Sequence, residues 1–341
     1  MLRKFLLTFI TLVAITIAVI CFLFFTSSTN FSGKTRYFYI PSVGATKASI
    51  IKNLSDSSIT NRTSSFEFVA DKVDYWESIK PGRYQISNGM SVVEIVRLLK
   101  SGKQSPVRVV INKLRTKEDI ARRNGFLLEP DSLAFITFLQ SSDSLRQFGL
   151  DTNTAVTMII PNTYSLFWNT SASRYFRRMH QESVNFWNAE RLQKAGSLGL
   201  NKEQVYILAS IIEEETNKND EKPIMASVYL NRLKKPMRLG ADPTVKFALK
   251  DFAIKRIHFK HIELSAQSPY NTYRHYGLPP GPICTPSVKT IDAVLNAEQT
   301  DYIFFCAKPD FSGYHAFASN EKDHYANARA YQKALDSLLI K

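Results

Sequence analysis

The stretch YILASIIEEETNKND, Tyr206–Asp220, drives an apolar segment straight into three consecutive glutamates. Its spacing predicts a helix. At 100° per residue, Val205, Leu208, Ile211 and Ile212 share one broad stripe, and Glu215 falls near its centre. Glu213 lies on a neighbouring face with Tyr206, Ala209 and Ser210, where small side chains leave room for a groove. Glu214 points to the far flank. A carboxylate at the end of a buried run has its pKa raised by burial and becomes usable as an acid near neutral pH. Periodicity keeps two candidates, Glu213 over the groove and Glu215 half-buried as a supporting acid, beside the plain reading of a solvated helix end.

Working outward, a second helix over Pro223–Lys234 leads into MRLGADPTV, where Asp242 and Thr244 are expected in a proline-stiffened loop. Beyond it, SPYNTYRHYGLPPGPICTP holds five prolines and two glycines, which fix a loop without regular hydrogen bonding. That loop presents Tyr270, Asn271 and Thr272. Aromatic faces stack on sugar rings, and amides and hydroxyls bond sugar hydroxyls. An upstream stretch, IIPNTYSLFWNTSAS, reads as another polar and aromatic loop and carries Asn162 and Tyr164.

The N-terminus carries Arg3 and Lys4, then no charge from Phe5 to Phe25. That length suits a membrane span and exceeds the apolar core of a cleavable signal. The positive flank places the short tail in the cytoplasm and the remainder outside. A polar linker follows at 26–34. RYFYIPSV then reads as a strand and KASIIKNLSD as a helix. Arg83–Ile86 is a second strand after a Pro81-Gly82 turn, and Ser91 with Glu94 forms a capping box for a helix that Ser101-Gly102 ends. Such strand–helix units look like LysM-type glycan-binding modules.

The net charge of +14 raises the question of nucleic acid, but no zinc-finger, helix-turn-helix or RNA-binding signature accompanies it. The basic clusters read as solvated faces near an anionic wall or membrane. Three cysteines give no disulfide framework, and six scattered histidines give no metal-binding pair, so no cofactor or metal is expected.

Five motifs in order, ASIIEEET, ASVYLNRL, MRLGADPTV, SPYNTYRHYGLPPGPICTP and TDYIFFCAKPDFSGYHAFASNEKDH, resemble the YceG-like (MltG-type) endolytic murein transglycosylases. The resemblance implies an α+β protein: a tail at 1–4, a transmembrane helix at 5–25, the linker, a LysM-like α/β subdomain at 35–105 and a mixed α+β catalytic domain at 106–341. It implies a single-pass inner-membrane enzyme facing the periplasm, with nascent peptidoglycan strands as substrate and penicillin-binding proteins and other synthases as partners. The reaction implied is cleavage of the β-1,4 bond between N-acetylmuramic acid and N-acetylglucosamine, leaving a 1,6-anhydro end. Carried over by position, Glu213 is the catalytic acid and Glu215 a supporting residue. Asp242, Thr244, Tyr270, Asn271 and Thr272 hold the strand. The family loop reads F-P-D-T-Y where this chain has IPNTY, so Asn162 stands in an acidic position and Tyr164 remains for stacking. Two rivals predict other outcomes: a muramidase using Asp242 as base toward water would leave reducing ends, and a non-catalytic wall-binding scaffold would bind glycan without cutting it.

Overall fold

In a computed structural model, residues 2–338 of the chain are described. The fold is α+β and divides into two compact units. The first unit runs to Val109 and takes in Leu127–Pro130 and Ser165–Ser171. Its elements are α1 (Leu2–Phe25), β1 (Thr35–Ile40), α2 (Lys47–Asp56), α3 (Thr63–Lys72), β2 (Gly82–Ser87), α4 (Val92–Ser101) and most of β3 (Val107–Val110). α1 has a mean hydropathy of 2.8 in its most apolar stretch and no residue buried, as a membrane-spanning helix requires.

β1 and β2 pair antiparallel with Phe38 opposite Tyr84. Period-2 alternation sends Phe38, Ile40, Tyr84 and Ile86 to one face. There they meet Ile50 and Leu54 of α2, Phe66 and Ala70 of α3, and Val92, Ile95, Val96 and Leu99 of α4. The capping box predicted at Ser91 and Glu94 is formed, and Gly102 ends α4 in the left-handed conformation. Residues 26–34, read as a plain linker, carry two isolated β-bridges, Ser27 with Ser91 and Thr29 with Thr60.

The second unit holds α5 (Lys117–Leu127), α6 (Ser132–Gln140), α7 (Ser142–Arg146), α8 (Ala172–Phe186), α9 (Ala189–Ser197) and α10 (Lys202–Glu215). After these come α11 (Lys222–Lys234), α12 (Asp242–Leu249), α13 (Phe259–Leu264), α14 (Val288–Leu295), the antiparallel pair β5 (Phe304–Ala307) and β6 (His315–Ala318), and α15 (Glu321–Leu338). The stretch IIPNTYSLFWNTSAS, read as loop, contains a short strand, β4 (Thr163–Leu166).

α10 is the axis of this unit. Asn201 caps its start, and Val205 to Ile212 are all buried, so the helix is apolar all round for two turns. Each large side chain so buried contributes about 2 kcal/mol. α11, α12 and α14 pack around it. Its polar atoms are used internally: Tyr206 donates to the Ile159 carbonyl at 2.7 Å, and Ser210 accepts from the Ile283 amide at 3.0 Å.

One expected element is corrected. ADPTV is the first turn of α12, with Pro243 where a helix tolerates the missing N–H, and not a loop. The proline-rich stretch after Ser268 does run as an irregular loop as far as Ser287. It is pressed so tightly that a Cβ on Gly281 would overlap the Asn153 carbonyl oxygen.

Candidate active site

α10 ends by turning three carboxylates in three directions. Glu213 faces α11 and α14. Its Oε2 accepts from Lys222 Nζ at 3.1 Å, from Ser287 Oγ at 3.0 Å and from the Thr290 hydroxyl. Lys222 is itself buried and also donates to Thr290 at 2.7 Å. A buried ion pair of this kind is retained only when both charges are well bonded, and here both are.

Glu214 faces Arg115, whose Nε and Nη2 form a two-pronged bond to it at 3.0 and 2.9 Å, with Lys113 at 3.3 Å. Burial pushes its pKa up, but the Arg115 hydrogen bonds and both cations outweigh that and hold it below the ordinary value. A narrow cleft beside it is lined by Arg115, Glu214, Pro243, Lys246, Phe252 and Ile283.

Glu215 faces α12 and the loop. Tyr229 of α11 donates to its Oε1 at 2.6 Å. On the neighbouring segment Tyr273 donates to Asp242 Oδ1, also at 2.6 Å. Burial is the main cause that raises the Glu215 pKa from 4.5 to about 7. Asp242 adds to it, while Tyr229, Arg232 and Lys246 work against it. Arg232 is locked in place by bonds to the carbonyls of Ile303 and Leu239, with its guanidinium near the Tyr229 and Phe305 rings. Glu215 and Asp242 are each half-buried. A proton held near neutrality next to a second carboxylate is the equipment of general acid–base chemistry.

Asn271, Thr272 and Thr244 lie behind this pair. All three are buried, with exposures of 0%, 1% and 0%. The Asn271 amide nitrogen donates to the Ile262 carbonyl and to Ser265 Oγ at 2.9 and 2.8 Å, and its oxygen accepts from the Tyr273 amide at 2.9 Å. Thr272 accepts from the Ala241 amide at 2.9 Å and meets the Thr244 hydroxyl at 2.8 Å. These bonds fasten the loop to the start of α12 and set Tyr273 on Asp242. Tyr270 is half-buried, its ring 4.7 Å from that of Phe247.

Asn162 is exposed and its side chain accepts from the Thr163 amide at 2.7 Å. The Tyr164 ring is buried and its hydroxyl donates to the Ile160 carbonyl. The geometry joins neither residue to the glutamates by a hydrogen bond.

Sequence reading did not single out Lys222, Thr290, Arg115 or Tyr229. Tyr229 stands inside the ASVYLNRL motif, one helical turn before Leu233, but nothing in that pattern says it points at a carboxylate. A separate cleft of about 770 Å³ lies at the opposite end of α10, lined among others by Asn201, Gln204 and Pro279. At 1.5 Å rise per residue it is about 16 Å along the helix from Glu215.

The pattern of the YceG-like family matches residues 38–330. The chain belongs to this family. A relative from Bacillus subtilis (strain 168), an endolytic murein transglycosylase, is 42% identical over 120 residues, 34% of this chain and 31% of that protein. Another endolytic murein transglycosylase, from Streptococcus pneumoniae serotype 2 (strain D39 / NCTC 7466), is 26% identical over 296 residues, 77% of this chain and 52% of its own. The chain thus spans about half or less of the length of these relatives. The crystal structure of a yceG-like protein from Listeria monocytogenes superposes with a TM-score of 0.55 at 27% identity, covering 86% of this chain and 99% of that one.

Proposed function

We propose that this YceG-like chain is a membrane-anchored lytic transglycosylase that cuts peptidoglycan glycan strands, and that Glu215 is its acid and base. The observation that carries the reading is Glu215, raised to a pKa of about 7 by burial and by the charge of Asp242, with each of the two carboxylates held by its own tyrosine hydroxyl. Family membership supports peptidoglycan as the substrate class. The assignment exchanges the roles implied by resemblance, which gave the acid to Glu213. Glu213 has Lys222 and two hydroxyls directed at one oxygen, so its carboxyl is held against α11 and α14.

Glu215 in its neutral form donates its proton to the glycosidic oxygen as positive charge builds on the sugar ring. The carboxylate left behind then takes the proton of the muramoyl C6 hydroxyl, which attacks the anomeric carbon of the same sugar. A tethered nucleophile needs no second enzymic nucleophile and no activated water. The Asp242 carboxylate stabilises the oxocarbenium-like charge, and Tyr273 holds it in position. By the positive-inside tendency, Arg3 and Lys4 keep the start of α1 in the cytoplasm and place both units on the other side.

A hydrolytic muramidase is the second reading, favoured by the same Asp242 acting as base toward water. Mass spectrometry of uncrosslinked strands incubated with the full chain separates them. Anhydro ends made by wild type and lost in Glu215→Gln support the proposal. Reducing ends assign the chain as a hydrolase, and no cleavage by folded protein removes the enzymatic reading.

A further inference from the structure

The first unit does not hang from its span on a free tether. α1 passes directly into Ser27 and Ser28, which are bonded to Ser91 and Met90 at the start of α4. α3 lies beside the last turn of the span. Arg62 Nη1 donates to the Phe22 carbonyl at 2.7 Å and to Thr26 Oγ1 at 2.9 Å, with its guanidinium 4.7 Å from the Phe22 ring. The Phe68 ring sits 5.5 Å from that of Phe24. Phe22 and Phe24 belong to the apolar run that ends at Phe25. At 1.5 Å rise per residue, Phe22 is about 5 Å inside that end. Arg62 and Phe68 therefore stand at the depth of the lipid headgroups.

The outward arc of α3 suits that depth. At 100° per residue Phe68, Lys72, Val69 and Val73 follow one another around the helix before the buried Phe66 and Ala70 are reached. Phe68 is 53% exposed, and Lys72 Nζ lies 5.7 Å from its ring. Val69 and Val73 continue into a cleft of about 460 Å³ shared with Val93 and Val96 of α4, rimmed by Arg97 and Lys100. The acids of α3 are turned away: Glu67 and Asp71 are paired with Lys47 at 3.0 and 2.8 Å. Among the described residues no carboxylate forms an ion pair with Lys72, Arg97 or Lys100.

We propose that this arc and cleft rest on the bilayer and take anionic phospholipid, an acyl chain against the four valines and the phosphate at Lys72, Arg97 and Lys100. An aromatic side chain at headgroup level, apolar surface and cations without a carboxylate partner beside the end of a span are what an anionic lipid surface attracts, with the Lys100 ammonium bonded to the Val73 carbonyl at the rim. The contact fixes the first unit against the membrane and so limits its tumbling about α1.

The test is photo-cross-linking of the full chain with p-benzoylphenylalanine at position 68, an exposed site, in nanodiscs of phosphatidylcholine with and without phosphatidylglycerol. The expected result is lipid adducts in which phosphatidylglycerol exceeds its share of the bilayer at least threefold, with the excess abolished in Lys72→Gln/Arg97→Gln. Absence of lipid adducts, adducts to a second copy of the chain only, or phosphatidylglycerol at its bulk share would overturn the proposal. Unchanged melting of the doubly substituted chain confirms that the loss is not unfolding.

Discussion

The Tyr229 hydroxyl donates to Glu215 Oε1 at 2.6 Å from a ring that is wholly buried. The bond stabilises the carboxylate form and so opposes burial, which favours the acid form. Asp242 pushes the same way as burial, and the balance falls at about 7. Glu215 is thereby able to give a proton and take one back at neutral pH, the two halves of the proposed cycle.

That balance predicts opposite responses to two substitutions. Activity needs neutral Glu215, so kcat/KM should fall about tenfold per pH unit above a limb near 7. Tyr229→Phe removes a bond to the charged form and should move the limb to higher pH. Asp242→Asn removes a repelling charge and should move it lower. Single-turnover strand cleavage across pH 5 to 9 reads both; shifts in the same direction would exclude this account of the site.

The two glutamates should fail differently. Glu215→Gln is expected to lose activity by about 10³-fold, the scale of a lost general acid, with no loss of melting temperature. Glu213→Gln leaves the Lys222 ammonium buried without its countercharge, at a cost on the order of 3 kcal/mol. Adding Lys222→Met should restore most of the lost stability. Thermal melting and product analysis on the four proteins decide the roles, and an inactive but fully stable Glu213→Gln beside an active Glu215→Gln would return the acid to Glu213.

The path from sequence to site was legible up to the helix and no further. Apolar spacing placed α10, and the Ser91–Glu94 box and Gly102 bounded α4, because these signals are local. α3 went unread, since Arg62 makes no side-chain cap to mark where it starts. ADPTV looked like a loop because proline breaks helices in their interior, yet it begins α12. Choosing between Glu213 and Glu215 required their partners. Lys222 is nine residues from Glu213 but Thr290 is 77 away, and Asp242 receives its tyrosine from 31 residues downstream. Periodicity within one helix carries no information about those contacts.

Stability should carry the signature of the same carboxyl. Its folded pKa is raised, so its contribution is fully present below the unfolded value of 4.5 and is lost as pH rises through about 7. A shift of this size corresponds to about 3 kcal/mol. Glu215→Gln, which cannot ionise, escapes the loss. Relative to wild type, the variant should therefore gain melting temperature between pH 5 and pH 8; parallel melting curves across that range would show that Glu215 is not desolvated.

The loop residues Asn271 and Thr272 give the last test, because sugar contact and loop fastening predict different measurements. Both are sealed from solvent, with their side-chain bonds spent on Ile262, Ser265, Tyr273, Ala241 and Thr244. Asn271→Ala strands buried donors and acceptors and should cost about 1–3 kcal/mol. It also frees the backbone that seats Tyr273 on Asp242, so kcat should fall with the melting temperature while KM for glycan strands holds. Thr272→Val should do the same more weakly. A rise in KM at unchanged stability would mean that the loop opens in solution and that these two side chains touch the strand.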